Sequence, residues 1–244
     1  MSTILALHSS GIGPKQWRTV PEPVLAPDFI YELSDPARFT PERDLATCEA
    51  LLNSVEGPVH LLGHSYGGYL ALHLARRHPH RIGRIAVHDP VLWGCLRSDG
   101  PPELVAAFEA VLEPIFTVPP DRWGGPEWMQ GFVDFWNGPG TWAGIPGRRQ
   151  RKMMQAGTKV AGEVSYCCRD QEPASAWSGV LHPTLITCGE TTPPPEVAVC
   201  EALARSLPRA RLERGPGGHM APVTHHFELL PRMLAFLRAC SASP

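Results

Sequence analysis

A serine set between glycines can serve as a nucleophile, and this chain carries that arrangement at Gly63-His64-Ser65-Tyr66-Gly67. A hydroxyl is a poor nucleophile at neutral pH, so it needs a base to take its proton and a carboxylate to hold that base. Eleven histidines compete for the first role. The glycines have steric work to do, because a serine on a strained strand-to-helix turn needs neighbours without a Cβ. Such a turn lifts the Ser65 hydroxyl above the strand end and sets the first N–H groups of the following helix beside it. The pentapeptide counts only in that setting, with an apolar strand before it and an amphipathic helix after it.

The surrounding pattern supplies the setting. Val59-His60-Leu61-Leu62 reads as a strand, and a helix through Leu70, Leu72, Leu74 and Ala75 stops at His78-Pro79. Earlier, residues 3–8 read as a buried strand, residues 16–18 open a short helix, and residues 23–28 form a second strand. Thr40 is placed to cap a helix reaching Val55, with Pro41 at its first position. Residues 82–87 give the next strand, closed by His88-Asp89-Pro90. Alternation then stops over residues 94–178, a stretch rich in Pro, Gly and Trp with helical pieces at 103–116 and 127–136. It resumes with a strand at 183–188, a helix at 196–207, a strand at 210–213 and a helix at 227–238. The expectation is an α/β fold, a mostly parallel sheet of about six strands flanked by helices, with an inserted helical cap. Residues 1–93 and 179–244 form the core domain and 94–178 the cap.

Composition narrows the function. The chain has 244 residues, 43% hydrophobic and 19% charged, enough for one core and too apolar for disorder. Twenty-two Lys and Arg against 24 Asp and Glu leave a net charge of −2, with no broad basic face for nucleic acid. The seven cysteines, Cys48, Cys95, Cys167, Cys168, Cys188, Cys200 and Cys240, follow no zinc-ligand spacing and read as buried free thiols. No run reaches the roughly 18–20 apolar residues of a membrane span, and the amino terminus lacks a signal-peptide pattern, so a cytoplasmic location is expected.

The segments His8-Ser9-Ser10-Gly11, Ala26-Pro27-Asp28, Gly63-His64-Ser65-Tyr66-Gly67-Gly68 and Gly217-Gly218-His219-Met220-Ala221-Pro222 together resemble the α/β-hydrolase superfamily over essentially the whole chain, nearest its small capped esterase-like members. The resemblance implies a Ser, acid, His order, which makes His219 the base. His225 and His226 read as capping or surface residues, His64 as packing, and His8 as support for the loop that helps bind an oxyanion. Superfamily members usually place the acid where this chain has Thr192. Asp89, at the end of the strand after the nucleophile strand, is the favoured substitute, and Glu190 is the alternative acid. A plainer reading makes Asp89 a turn cap before Pro90. The N–H groups of Tyr66 and Ser10 are the expected oxyanion donors.

The reaction implied is hydrolysis of a carboxylic ester or thioester through an acyl-enzyme, with neither metal nor organic cofactor. C–C bond hydrolysis and cofactor-free haloperoxidase or perhydrolase chemistry use the same residues. A ligand-binding protein on a hydrolase frame is the rival from another class, kept open by Thr192. Phe108, Phe116, Phe132, Phe135, Trp136 and Trp142 suit a small-molecule substrate with an apolar or aromatic part, or simply form the cap core. Arg148, Arg149, Arg151 and Lys152 read as a solvated helix face.

Overall fold

The computed structural model describes residues 3–21 and 24–239, so Pro23, the first residue of the expected second strand, and Cys240 lie outside the described residues. Six strands, β1 (Ile4–Leu7), β2 (Val24–Leu25), β3 (Val59–His64), β4 (Ile82–His88), β5 (Thr184–Gly189) and β6 (Ala210–Gly215), form one sheet in the order β2-β1-β3-β4-β5-β6. Every pairing is parallel. The central strands are apolar and buried on both faces, as a sheet covered by helices on each side requires.

Side chains alternate along each strand and so feed two cores. Ile4, Ala6, Leu62, Ala86 and Leu185 pack against Leu230, Met233 and Leu237 of the last helix, α11 (His226–Arg238). Leu5, Leu7, Leu61, Val87 and Ile186 face α1 (Glu42–Asn53), α2 (Tyr66–Arg77) and α9 (Pro194–Ser206), through Leu45, Leu70 and Val199. Thr40 does not cap α1. Pro41 holds that position without a side-chain cap, and Glu42 and Asp44 supply acidic groups to the first turn instead. The short helix expected to open at residues 16–18 is a 3₁₀ turn at Pro14–Trp17.

Between β4 and β5 the described chain is helical: α3 (Trp93–Asp99), α4 (Pro102–Thr117), α5 (Pro126–Asn137), α6 (Thr141–Gly144), α7 (Gly147–Met154) and α8 (Gly157–Cys168). Ile115, Trp123, Trp128, Val133, Trp142 and Val160 build a third core among these helices. The basic run lies on α7, which buries none of its residues. A short helix α10 (Ala221–Thr224) precedes α11. Among the described residues, no helix is long and apolar enough to cross a membrane.

The strand order carries the functional geometry. The chain runs outward from β1 to β2, then returns past β1 to β3 and proceeds the other way. Parallel sheets open a crevice beyond the strand ends at such a reversal. Leu7 pairs in register with Gly63, so the loop after β1 and the turn after β3 emerge side by side there.

Candidate active site

Each strand from β1 to β6, the short β2 excepted, delivers a polar group at its carboxyl end. Ser65 follows β3 with φ 55 and ψ −120, and Asp89 follows β4 with φ 43. They are the two non-glycine residues with left-handed φ among the described residues. Backbone strain of this kind costs on the order of 1–3 kcal/mol and persists where the surroundings enforce it. The Ser65 turn is enforced by close packing: a Cβ on Gly67 would lie 2.0 Å from the Leu7 carbonyl oxygen, and one on Gly63 would lie 2.6 Å from that of Gly67. Ser65 N–H donates to His88 O at 2.9 Å, and its carbonyl accepts from Gly68 and Tyr69 as α2 begins.

His219, in the loop after β6, directs Nδ1 at Asp89 Oδ2 across 3.1 Å. The same oxygen accepts from Thr192 Oγ1 at 2.8 Å, and Thr192 Oγ1 accepts from the Gly189 N–H at 3.0 Å. The residue that stands where an acid was expected thus holds the carboxylate arriving from β4. Burial by itself would raise the Asp89 pKa, but His88, His219 and Thr192 outweigh it and draw the carboxyl well below the usual carboxylate range. Burial pulls His219 below 6.5, partly offset by Asp89, so the imidazole stays neutral and can take a proton. Glu190, by contrast, is exposed, and its recorded bonds are through the backbone: N–H to Gly215 O and carbonyl to Arg214.

The histidine loop is held from beneath. His64 Nε2 donates to the His219 carbonyl at 2.7 Å, while its Nδ1 accepts from Gln16 Nε2 at 3.1 Å. Burial drives His64 well below 6.5, which suits that neutral tautomer. Gln16 Oε1 in turn accepts from the Ser9 N–H at 3.1 Å. His64 therefore links the loop after β1 to the loop after β6, rather than only packing as expected from sequence. His8 accepts from the Phe29 N–H on Nε2 at 3.1 Å and donates from Nδ1 to Ser9 O at 2.8 Å, bracing the β1 loop. With the Ser9 amide committed to Gln16, Ser10 is the loop residue that shares the cavity with Ser65 and Tyr66. Tyr66 opens α2, so its N–H belongs to the helix-start amides without an intrahelical acceptor.

Trp93, Phe108, Phe132, Phe135 and Trp136 give the cavity over Ser65 an apolar wall. Phe116 and Trp142 instead pack in the third core. Trp136 stacks on the His219 ring with centroids 3.5 Å apart and planes 14° apart. Among the described residues, no hydrogen bond yet joins Ser65 Oγ to His219; such contacts often close only when substrate binds. One buried trio, Asp89, Cys188 and Cys200, brings possible metal-ligand atoms within 4.8 Å of one another. Asp89 is already engaged by His219 and Thr192, and burial pushes the Cys200 thiol well up, away from the thiolate a metal needs.

The model of the alpha/beta hydrolase family matches residues 4–232. The chain belongs to that family. It is 32% identical over 97 residues to lipase LipV of Mycobacterium tuberculosis, a match spanning 36% of this chain and 37% of that lipase. A hydrolase structure from Oleispira antarctica covers 98% of this chain, with 91% of its own length matched, at 18% identity and TM-score 0.72. A bromoperoxidase from Bacillus anthracis covers 98% of the chain and is itself matched over 92%, at 16% identity and TM-score 0.72. At those identities the likeness is one of fold.

Proposed function

We propose that this alpha/beta hydrolase is a serine hydrolase of a carboxylic ester or thioester, with residues 94–178 acting as a cap over the sheet. The observation that carries the reading is the strained Ser65 on the same rim as the 3.1 Å Asp89–His219 pair. Ser65 Oγ attacks the carbonyl carbon as its proton passes to His219 Nε2, and Asp89 steadies the imidazolium through Nδ1–H. The Tyr66 and Ser10 N–H groups receive the oxyanion of the tetrahedral intermediate. Collapse breaks the bond to the leaving oxygen or sulfur, which takes the proton from His219 and leaves acyl-Ser65. Water, deprotonated by His219, then attacks the acyl carbon, and the acid departs as Ser65 regains its proton. Thr192 had kept a non-catalytic binding protein in contention; its hydroxyl supplies a donor to Asp89 in place of the charge it lacks.

The test is intact mass after fluorophosphonate treatment, together with turnover of a short aryl ester, for wild type and Ser65→Ala. The expected result is one adduct and measurable hydrolysis in wild type, both lost in the variant. Folded wild-type protein with neither adduct nor turnover would overturn the proposal in favour of a binding protein.

A further inference from the structure

The cavity over Ser65 is apolar but for one charged group, Glu163 of α8, which is 1% exposed and lines it beside Ser10, Ser65 and Tyr66. One carboxyl oxygen, Oε1, pairs with Lys159 Nζ. Lys159 also donates to Asp44 Oδ2 at 2.8 Å, and that oxygen accepts from the Tyr66 hydroxyl at 2.7 Å. The ammonium lies 4.7, 4.6 and 5.1 Å from the ring centres of Tyr31, Phe39 and Tyr66, an aromatic cage that fixes it. The other oxygen, Oε2, is buried and has no hydrogen-bond partner among the described residues. The Ser10 hydroxyl faces the carboxyl from the oxyanion loop and works against the rise in its pKa. Nothing in the reaction outlined above uses this group, and an unmet buried carboxyl oxygen is costly to retain without a partner.

We propose that Glu163 is a specificity residue that takes a hydroxyl on the acyl part of the substrate, so that the preferred substrates are esters or thioesters of hydroxy acids. This deepens the hydrolase reading and rests on it. The hydroxyl follows from the charges present. Lys159, Asp44 and Glu163 would together hold one surplus negative charge, and burial, opposed by Lys159, raises the Glu163 pKa toward the neutral form. A hydroxyl both donates and accepts, so it can pair with Oε2 whether the carboxyl is ionised or protonated. An ammonium serves only the ionised form and must shed its water to enter an apolar cavity. A plain alkyl chain leaves Oε2 unmet, and sites built around a hydrogen bond reject such analogues strongly.

Binding separates this inference from turnover. Octanamide and its 2-, 3- and 4-hydroxy derivatives resist hydrolysis, and Trp93 and Trp136 in the cavity wall report binding by fluorescence. Wild type should bind one hydroxyoctanamide at least about tenfold more tightly than octanamide. Glu163→Leu, which leaves Lys159 paired with Asp44, should bind the two alike, and Glu163→Gln should keep most of the preference because its amide still bonds a hydroxyl. Equal binding by wild type, an undiminished preference in Glu163→Leu, or tighter binding of the matching amino amide would overturn the inference. The same preference with an unreactive Ser65 would instead sink the hydrolase reading and leave the hydroxyl site standing.

Discussion

Two buried carboxyls stand near Ser65, each with one oxygen engaged and the other without a hydrogen-bond partner among the described residues, yet their pKa values move in opposite directions. Asp89 gathers His219 and Thr192 on Oδ2, with His88 nearby and Oδ1 without a partner among the described residues, and its pKa falls although it is fully buried. Glu163 has Lys159 on one oxygen and only the Ser10 hydroxyl facing the carboxyl besides, and burial raises its pKa. Burial is common to both, so donor count and nearby charge decide the outcome. The first arrangement fits a carboxylate that must stay charged to hold an imidazolium; the second, which lines the cavity over Ser65, fits a group placed to meet a substrate.

The sharpest way to break the comparison is to neutralise Asp89. Asp89→Asn should lower kcat for an aryl ester by about 10⁴-fold, because the amide favours the wrong imidazole tautomer. Glu190→Gln should leave kcat within about twofold, since Glu190 is exposed and bonds through its backbone. Equal losses in the two variants would refute the assignment of the acid. On the Glu163 side the matching experiment is Lys159→Met. Removing the cation strands Asp44 and Glu163 without charge compensation and should cost about 3–5 kcal/mol in urea unfolding, against little for a surface lysine such as Lys152.

These contrasts also mark what could be read from the sequence. Strands and helices were legible because buried parallel strands are short apolar runs and the helices carry their own stripes. Ser65 was legible because its glycines have a steric reason visible in five residues. Asp89 was only half legible: its position at the end of β4 pointed to the rim, but nothing in the sequence shows its side chain meeting His219 rather than capping a turn. In the sequence Thr192 stands as a missing acid. The available signal was its hydroxyl, which can donate to a carboxylate arriving from the neighbouring strand. Lys159 and Glu163 give no signal in the sequence, since an i,i+4 Lys–Glu pair normally marks a solvated helix face and the partner Asp44 lies 115 residues away. Gln16 and His64 stayed silent for the same reason, being joined across 48 residues.

Thr192→Val sharpens the Asp89 half of the comparison. The isosteric change removes one donor to a charged oxygen, a bond worth about 1.5–3 kcal/mol. Because His219 and the fold remain, kcat/KM should drop on the order of tenfold rather than 10⁴-fold, about 1.4 kcal/mol at tenfold. An unchanged value would show that His88 and His219 suffice to hold Asp89, and that Thr192 has no part in positioning it.

The smallest effect concerns Trp136, whose indole covers His219. Burial is the largest influence on that imidazole and lowers its pKa below 6.5, so the acid limb of kcat/KM should fall below 6.5 in wild type. The base works only when neutral, hence activity is kept above the folded pKa and lost as pH drops through it. Trp136→Leu thins the cover, lets water reach the ring and should move the limb upward toward 6.5 by less than about one unit, so the variant loses activity at a higher pH. An opposing effect runs the other way, because an aromatic face also stabilises the imidazolium by about 0.5–2 kcal/mol. A limb that shifts downward would mean that this attraction outweighs the desolvation. The indole would then have to be counted with Asp89 among the groups that stabilise charge on His219, and the carboxyl would no longer be the sole source of that stabilisation.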